Sequence, residues 1–233
     1  MPLPLPEEIA RVGQSQSLST GLTAARMAES ARYALLCRMH PSLHHNMAGA
    51  LQPIVMTAMI LDKRLQQPVP DLAAIAKNAA AIGAASKQAT SASKATLGWL
   101  AHTDNVRVTV RDGVEELLEL LATELSVHGF TTVNEVAVGG AEFPRIFFRT
   151  AFACALLALC DSAVSTGTLR VTWQKPGDEA TDTLTIALDG RLVPPDIAER
   201  YRHLNWDDAE ALAFANGIAL AHGDDWVTLR LVC

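Results

Sequence analysis

The residues best placed to do chemistry are three histidines in one short stretch, His40, His44 and His45, within the run MHPSLHHNMAGALQPI that ends at Ile54. A neutral imidazole nitrogen is a nucleophile near pH 7, because the ring's ordinary pKa is about 6.5. A phosphoryl group is among the electrophiles it accepts. Such a histidine must be reachable by a partner and held still by its own backbone, and the surrounding pattern suits both needs. Apolar residues recur at Leu43, Met47, Leu51, Ile54, Ala58, Leu61 and Leu65. Their alternating steps of four and three form the seam of a helix packed lengthwise against others. Extended backwards, the seam falls near His40 and His44, which sets His45 just beside it, followed by Asn46.

The elements that must position these histidines follow from the same periodicity. The helical run from about Arg32 to Leu65 is broken by Gln66-Gln67-Pro68-Val69-Pro70-Asp71, with Asp71 placed to cap the next helix. A second seam then reads Leu72, Ile75, Ala79, Ile82, Ser86, Ala89, Ser93, Thr96 and Leu100. Its small residues let partner helices approach closely. The expected arrangement is an antiparallel helical hairpin joined by a short loop. One hairpin leaves apolar stripes in water, and two copies make a four-helix bundle, so a homodimer is expected. Residues 1–22, with Pro2, Pro4 and Pro6, are expected to be flexible, with a helix starting near Thr23. Pro41 and Pro53 are each expected to kink or end the helix.

His102-Thr103-Asp104-Asn105 marks a boundary between the hairpin, 23–102, and a second domain, 106–233. There the pattern gives an amphipathic helix over Gly113–His128, a strand over Thr131–Val138 and a long apolar helix over Phe143–Val164. Strands at Leu169–Trp173 and Thr183–Leu188 flank a turn at Pro176-Gly177-Asp178. A helix over Asp207–Ala221 and a closing strand over Trp226–Val232 complete an α+β layer.

Charge and composition exclude several classes. The net charge is -6 with no basic block, so a nucleic-acid footprint is absent. No apolar run reaches the length of a membrane span, and no basic segment precedes a hydrophobic stretch at the N-terminus. A soluble, cytoplasmic protein is expected. Cys37, Cys154, Cys160 and Cys233 show no zinc-type spacing. Cys154 and Cys160 fall inside an apolar helix, where a small buried hydrophobe is the expected role. No metal and no cofactor is expected.

His45, Leu51 and Ile54 keep the spacing of the H-box, and the chain here resembles the dimerisation and histidine-phosphotransfer domain of bacterial two-component histidine kinases. The family has an acidic residue where Asn46 stands. The second domain resembles the Bergerat-type ATP-binding domain that follows this hairpin in those kinases, with its landmarks altered. Ala158-Leu159-Cys160-Asp161-Ser162-Ala163 looks like the N-box, whose asparagines would fall at Ala158 and at Ser162, the metal-binding one. Leu188-Asp189-Gly190-Arg191-Leu192-Val193-Pro194 looks like the first glycine box. Its adenine-reading aspartate would fall at Leu188 and its second glycine at Leu192, with Gly190 retained; Asp189 could substitute only if the register slips by one residue. The stretch from Ala209 to Gly223 resembles the second glycine box and its following helix, with Ala209 and Ala211 at the glycine positions. Phosphate cradling needs glycines for close backbone approach, and metal-assisted transfer needs an oxygen ligand.

The resemblance therefore implies a histidine phosphotransferase built on a degenerate kinase core: an α+β chain whose dimeric four-helix bundle carries a Bergerat-like α/β sandwich that does not bind ATP. Its partners would be response-regulator receiver domains. The phosphoacceptor would be His45, with His44 as the fallback and Asn46 beside it. Transfer from an aspartyl-phosphate needs mainly a neutral imidazole held in line, since the receiver brings its own magnesium and lysine. The alternative is a non-catalytic pseudokinase dimer that binds and regulates a histidine kinase or response regulator.

Overall fold

The computed structural model describes residues 6–101, 105–174, 182–191 and 202–231. The expected turn at Pro176-Gly177-Asp178, the positions Leu192, Val193 and Pro194, the boundary residues His102, Thr103 and Asp104, and Cys233 lie outside the described residues, as do residues 1–5 of the expected flexible front.

Helix α1 spans Pro6–Leu65 and α2 spans Leu72–Leu100. Asp71 caps α2 as its spacing suggests, its side chain accepting from the Ala74 amide at 3.1 Å. Two expectations for α1 are corrected. The helix begins at Pro6 rather than near Thr23, and neither Pro41 nor Pro53 ends it. A proline inside a helix removes one backbone hydrogen bond. Both prolines are exposed, where water can satisfy the carbonyl left over.

The chain divides into two compact units, one of residues 39–104 and one in which 1–38 joins 105–233. In the first unit the protected face of α1 runs through Leu43, Met47, Ala50, Ile54, Thr57, Leu61 and Arg64, the positions less exposed than their neighbours. This stripe is rotated slightly from the seam read in the sequence. Leu51 and Leu65, assigned to that seam, are 49% and 54% exposed. On α2 the protected face includes Ile75, Ile82, Ser86, Ala89, Ser93 and Thr96 as expected, but Leu72 and Leu100 are exposed and Trp99 is the buried aromatic.

The second unit holds a five-stranded mixed sheet, order β2-β4-β5-β7-β6, and a two-stranded ribbon, β1-β3. The strands are β1 Arg107–Thr109, β2 Thr131–Asn134, β3 Glu142–Pro144, β4 Thr166–Gln174, β5 Asp182–Arg191, β6 Ile218–His222 and β7 Trp226–Leu231. Among the described residues only β2 and β4 pair in parallel, and the other pairs run antiparallel. Helix α3, Val110–Val127, starts where Thr109 accepts from the Asp112 amide at 3.1 Å. It buries Val114, Leu117, Leu118, Leu121 and Leu125 on one face. Gly113 is required on that face, because a Cβ there would stand 2.4 Å from the ring of Phe148.

The long apolar helix exists in three parts: α4 Arg145–Phe147, a π-turn Phe148–Phe152 and α5 Ala153–Ser162. Every residue from Ala153 to Cys160 is buried. The expected helix over Asp207–Ala221 is corrected more substantially. Helix α6 covers Trp206–Ala215 and then stops, and the following residues form strand β6 against β7. Asn216 closes the helix and Gly217 takes φ 69°, a backbone conformation that glycine adopts without strain.

Candidate functional site

His45 projects from the exposed surface of α1, and so do His40, His44 and Asn46. The rings of His40 and His44 stack one turn apart, with centroids 6.1 Å apart and planes at 27°. Exposure therefore does not separate His45 from His44; angle does. Leu43 is buried at 6% exposure and centres the protected stripe. In a helix of about 3.6 residues per turn, His44 lies about 100° from it and His45 about 200°. His45 is thus on the side of the helix turned away from the protected stripe. An imidazole there can be approached without moving the residues of that stripe.

In the second unit the described residues of the segments that resemble nucleotide boxes take part in the following contacts. Asp161, near the end of α5, has a side chain only 1% exposed, and Arg38 of α1 has one 3% exposed. Arg38 donates to Asp161 from Nε at 3.1 Å and from a terminal nitrogen at 3.0 Å. It also pairs with Glu124 of α3. The Leu204 amide donates to the same aspartate at 3.0 Å, and His203 lies 3.9 Å away. Burial alone would lower the guanidinium's pKa, but hydrogen bonds and the charges of Asp161 and Glu124 outweigh it and hold it above the ordinary value. This cluster was missed in the sequence. Its signal is Asp161 itself, a charged residue inside the apolar run from Ala151 to Val164, which needs a partner once buried.

Ser162 is exposed at the end of α5, and its hydroxyl donates back to the Leu159 carbonyl at 3.3 Å. Leu188 is buried within β5, and its amide donates to the Asp225 carbonyl at 2.7 Å. Asp189 points into solvent, its side chain 80% exposed and 3.8 Å from Arg170. Gly190 stands opposite Gly167 of β4. A Cβ at Gly190 would come within 2.5 Å of the Ser165 hydroxyl, and one at Gly167 within 1.9 Å of the Asp189 carbonyl. Close strand pairing gives both glycines a structural reason. Ala209 and Ala211 lie inside α6, not on a loop. Asn205 and Asp208 form a reciprocal cap that starts this helix, and the Ala209 amide is used within it at 3.3 Å from the Asn205 carbonyl. Arg202 reinforces the cap by a two-pronged pair with Asp208, at 2.6 and 2.8 Å.

Burial pushes the Cys154 thiol well above its usual range, with the nearby Asp208 adding to the shift. Cys154 and Cys160 are buried, in keeping with packing roles, and Cys37 is half-buried. Among the described residues no group of three or more His, Cys, Asp or Glu side chains is arranged to hold a metal ion. Nor is any helix among them long and apolar enough to cross a membrane.

No protein-family model matches the chain, and no curated protein matches it. Solved structures do. The histidine kinase AdeS of Acinetobacter baumannii is 16% identical, with a TM-score of 0.41 over 75% of this chain and 94% of that one. A bacterial phosphotransferase is 16% identical, with a TM-score of 0.37 over 85% of this chain and 94% of that one. A histidine kinase from Burkholderia phymatum is 14% identical, with a TM-score of 0.39 over 90% and 96%. The likeness is in the order of parts, helices followed by a mixed-sheet α/β domain.

Proposed function

We propose that the chain is a histidine phosphotransfer protein of a two-component phosphorelay. His45 accepts a phosphoryl group from the aspartate of one receiver domain and passes it to another, without ATP. In the accepting step an imidazole nitrogen of His45 forms the P–N bond as the acyl-phosphate P–O bond breaks, leaving the aspartate as carboxylate. The observation that carries this reading is the pairing of an exposed His45 on the outer side of α1 with H-box spacing to Leu51 and Ile54. The α/β domain supports the ATP-independent part, since Leu188, Ala209 and Gly190 all have structural occupations. Asn46 fits the same picture, because an already activated phosphoryl donor needs no base beside the histidine.

The working form is proposed to be a homodimer through residues 32–100. Leu51, Val55, Met56, Met59 and Ile60 are all about half exposed or more on α1; they lie about two to four turns beyond His45 along the helix, where a second copy would cover them and leave the turn of His45 open. The proposed division of labour is 23–102 for the phosphotransfer hairpin and 106–233 for the supporting α/β domain.

The test is incubation with a receiver domain phosphorylated on its aspartate. Acid-labile label should appear on the wild-type chain, persist in His44→Gln and vanish in His45→Gln. Label lost in His44→Gln instead would move the acceptor by one residue. No label from a receiver that demonstrably binds would leave a regulatory pseudokinase dimer as the reading. Micromolar binding of ATP with magnesium would overturn the ATP-independent reading.

A further inference from the structure

We infer that the α/β domain carries a separate binding site for a small carboxylate with an apolar ring or branched chain. The site is a cavity of about 550 Å³ between the β1-β3 ribbon, the start of α4 and the corner joining α6 to β6. Phe143 and Phe147 form an aromatic lining, 8% and 2% exposed, with ring centroids 6.4 Å apart. Ile146 and Ile218 extend the apolar surface.

Two polar groups in the lining are held in place. Arg107 donates from one terminal nitrogen to the Glu142 carbonyl, which fixes the guanidinium and leaves its other N–H groups for an anion. The amide nitrogen of Asn216 donates to the Leu212 carbonyl at 2.7 Å and to the Thr150 hydroxyl at 3.3 Å, so its Oδ1 remains an acceptor. A few fixed polar groups over apolar surface, in a volume of roughly 300–1,000 Å³, is the usual make-up of a small-molecule site. The guanidinium selects a carboxylate, which it can bind with two parallel hydrogen bonds. A single arginine beside the acidic Glu142 suits a monoanion better than a phosphate dianion, and the phenylalanine pair suits a ring or branched chain. None of Ser162, Asp189, Gly190, Ala209 or Ala211 lines this cavity, and the site does not depend on the phosphotransfer reading.

Titration of the full chain with phenylacetate and with its neutral analogue phenylacetamide, followed by NMR chemical shifts, tests the assignment. Saturable shifts with phenylacetate are expected, with phenylacetamide weaker by about tenfold or more, the worth of a charge-assisted hydrogen bond. Arg107→Met should bring the two ligands to equal, weak binding. Its side chain is exposed, so an unchanged melting temperature confirms that the fold is kept. Ile218→Trp should block both ligands by filling the cavity, and Ile146→Trp serves the same purpose from α4. Equal binding of the acid and the amide to the wild-type chain would overturn the proposal. So would phenylacetate binding that survives Arg107→Met, or no saturable response up to about 10 mM.

Discussion

Helix α5 and the outer half of α1 are both apolar helices, yet they meet opposite fates. From Ala153 to Cys160 no side chain of α5 is more than 4% exposed. Between Leu51 and Leu65 of α1, by contrast, Val55, Met56 and Met59 are 58%, 56% and 69% exposed. Fully burying one such side chain is worth about 1.5–3 kcal/mol relative to leaving it in water. The α/β domain therefore contains a complete core, whereas the hairpin presents half of one. Exposed apolar surface of this kind is where a partner docks, and in the proposed homodimer a second hairpin with the same stripe would cover it. The difference also sets where chemistry can be exposed: the turn of α1 that carries His45 is in water, and the apolar stripe begins about two turns further along the helix.

The sharpest way to break this contrast is to damage the complete core. Phe152 is 0% exposed and meets Phe148 edge-on at 6.1 Å. Phe152→Ala should cost about 3–5 kcal/mol, read as a loss of unfolding free energy in urea. A change under about 1 kcal/mol would mean that the π-turn region is loosely packed. Removing a buried charge partner comes next. Asp161→Ala leaves Arg38 buried with Glu124 alone and should cost about 3 kcal/mol. The pair Arg38→Met with Asp161→Leu should recover part of that loss, because the two most buried charges go together and Glu124, at 12% side-chain exposure, keeps some access to water. If the double variant is no more stable than Asp161→Ala, the cluster's hydrogen bond to the Leu204 amide matters more than the ion pair.

The glycine pair gives a smaller effect and bears on what the first-glycine-box resemblance means. At Gly167 an added Cβ meets backbone at 1.9 Å, whereas at Gly190 it meets the movable Ser165 hydroxyl at 2.5 Å. Gly190→Ala should therefore cost about 1 kcal/mol and Gly167→Ala clearly more. Equal, negligible costs would remove the structural explanation for Gly190.

Much of this architecture is legible in the sequence. The order of a helical hairpin followed by an α/β layer came from period and breakers, and the Asp71 cap and the strands around Leu169 and Leu184 lie where the pattern put them. The misses have physical causes. A heptad seam drawn through every large apolar residue assumes that all of them face one way. In α1 they face two, so Leu51 and Leu65 were assigned to the protected stripe in place of Ala50 and Arg64. The helix expected to run past Ala215 stops at Asn216-Gly217, a helix-ending signal, and the period-two spacing of Ile218 and Leu220 belongs to a strand too short to stand out beside the helix before it. The Arg38–Asp161–Glu124 cluster joins residues 86 and 123 positions apart. No local pattern reports a partner at that distance, although a lone carboxylate in an apolar helix says that one must exist.

The smallest effect on stability belongs to the outer stripe, and it carries the comparison to its conclusion. Met59→Glu and Val55→Glu place charges at positions already in water in a single chain, so the unfolding free energy of the α/β domain should move by no more than about 0.5 kcal/mol. In the proposed dimer the same substitutions bury unpaired charges between copies, which costs several kcal/mol and should halve the mass seen by light scattering at micromolar concentration. Leu156→Glu, at a position 0% exposed in α5, is the matching control and should unfold the domain outright. Two apolar helices would then respond in opposite ways to the same charge, one by losing its partner copy and the other by losing its fold. A wild-type chain that is monomeric at micromolar concentration would remove the second copy as the cover for the stripe. The exposed methionines would then belong to the surface that a receiver or kinase meets beside His45.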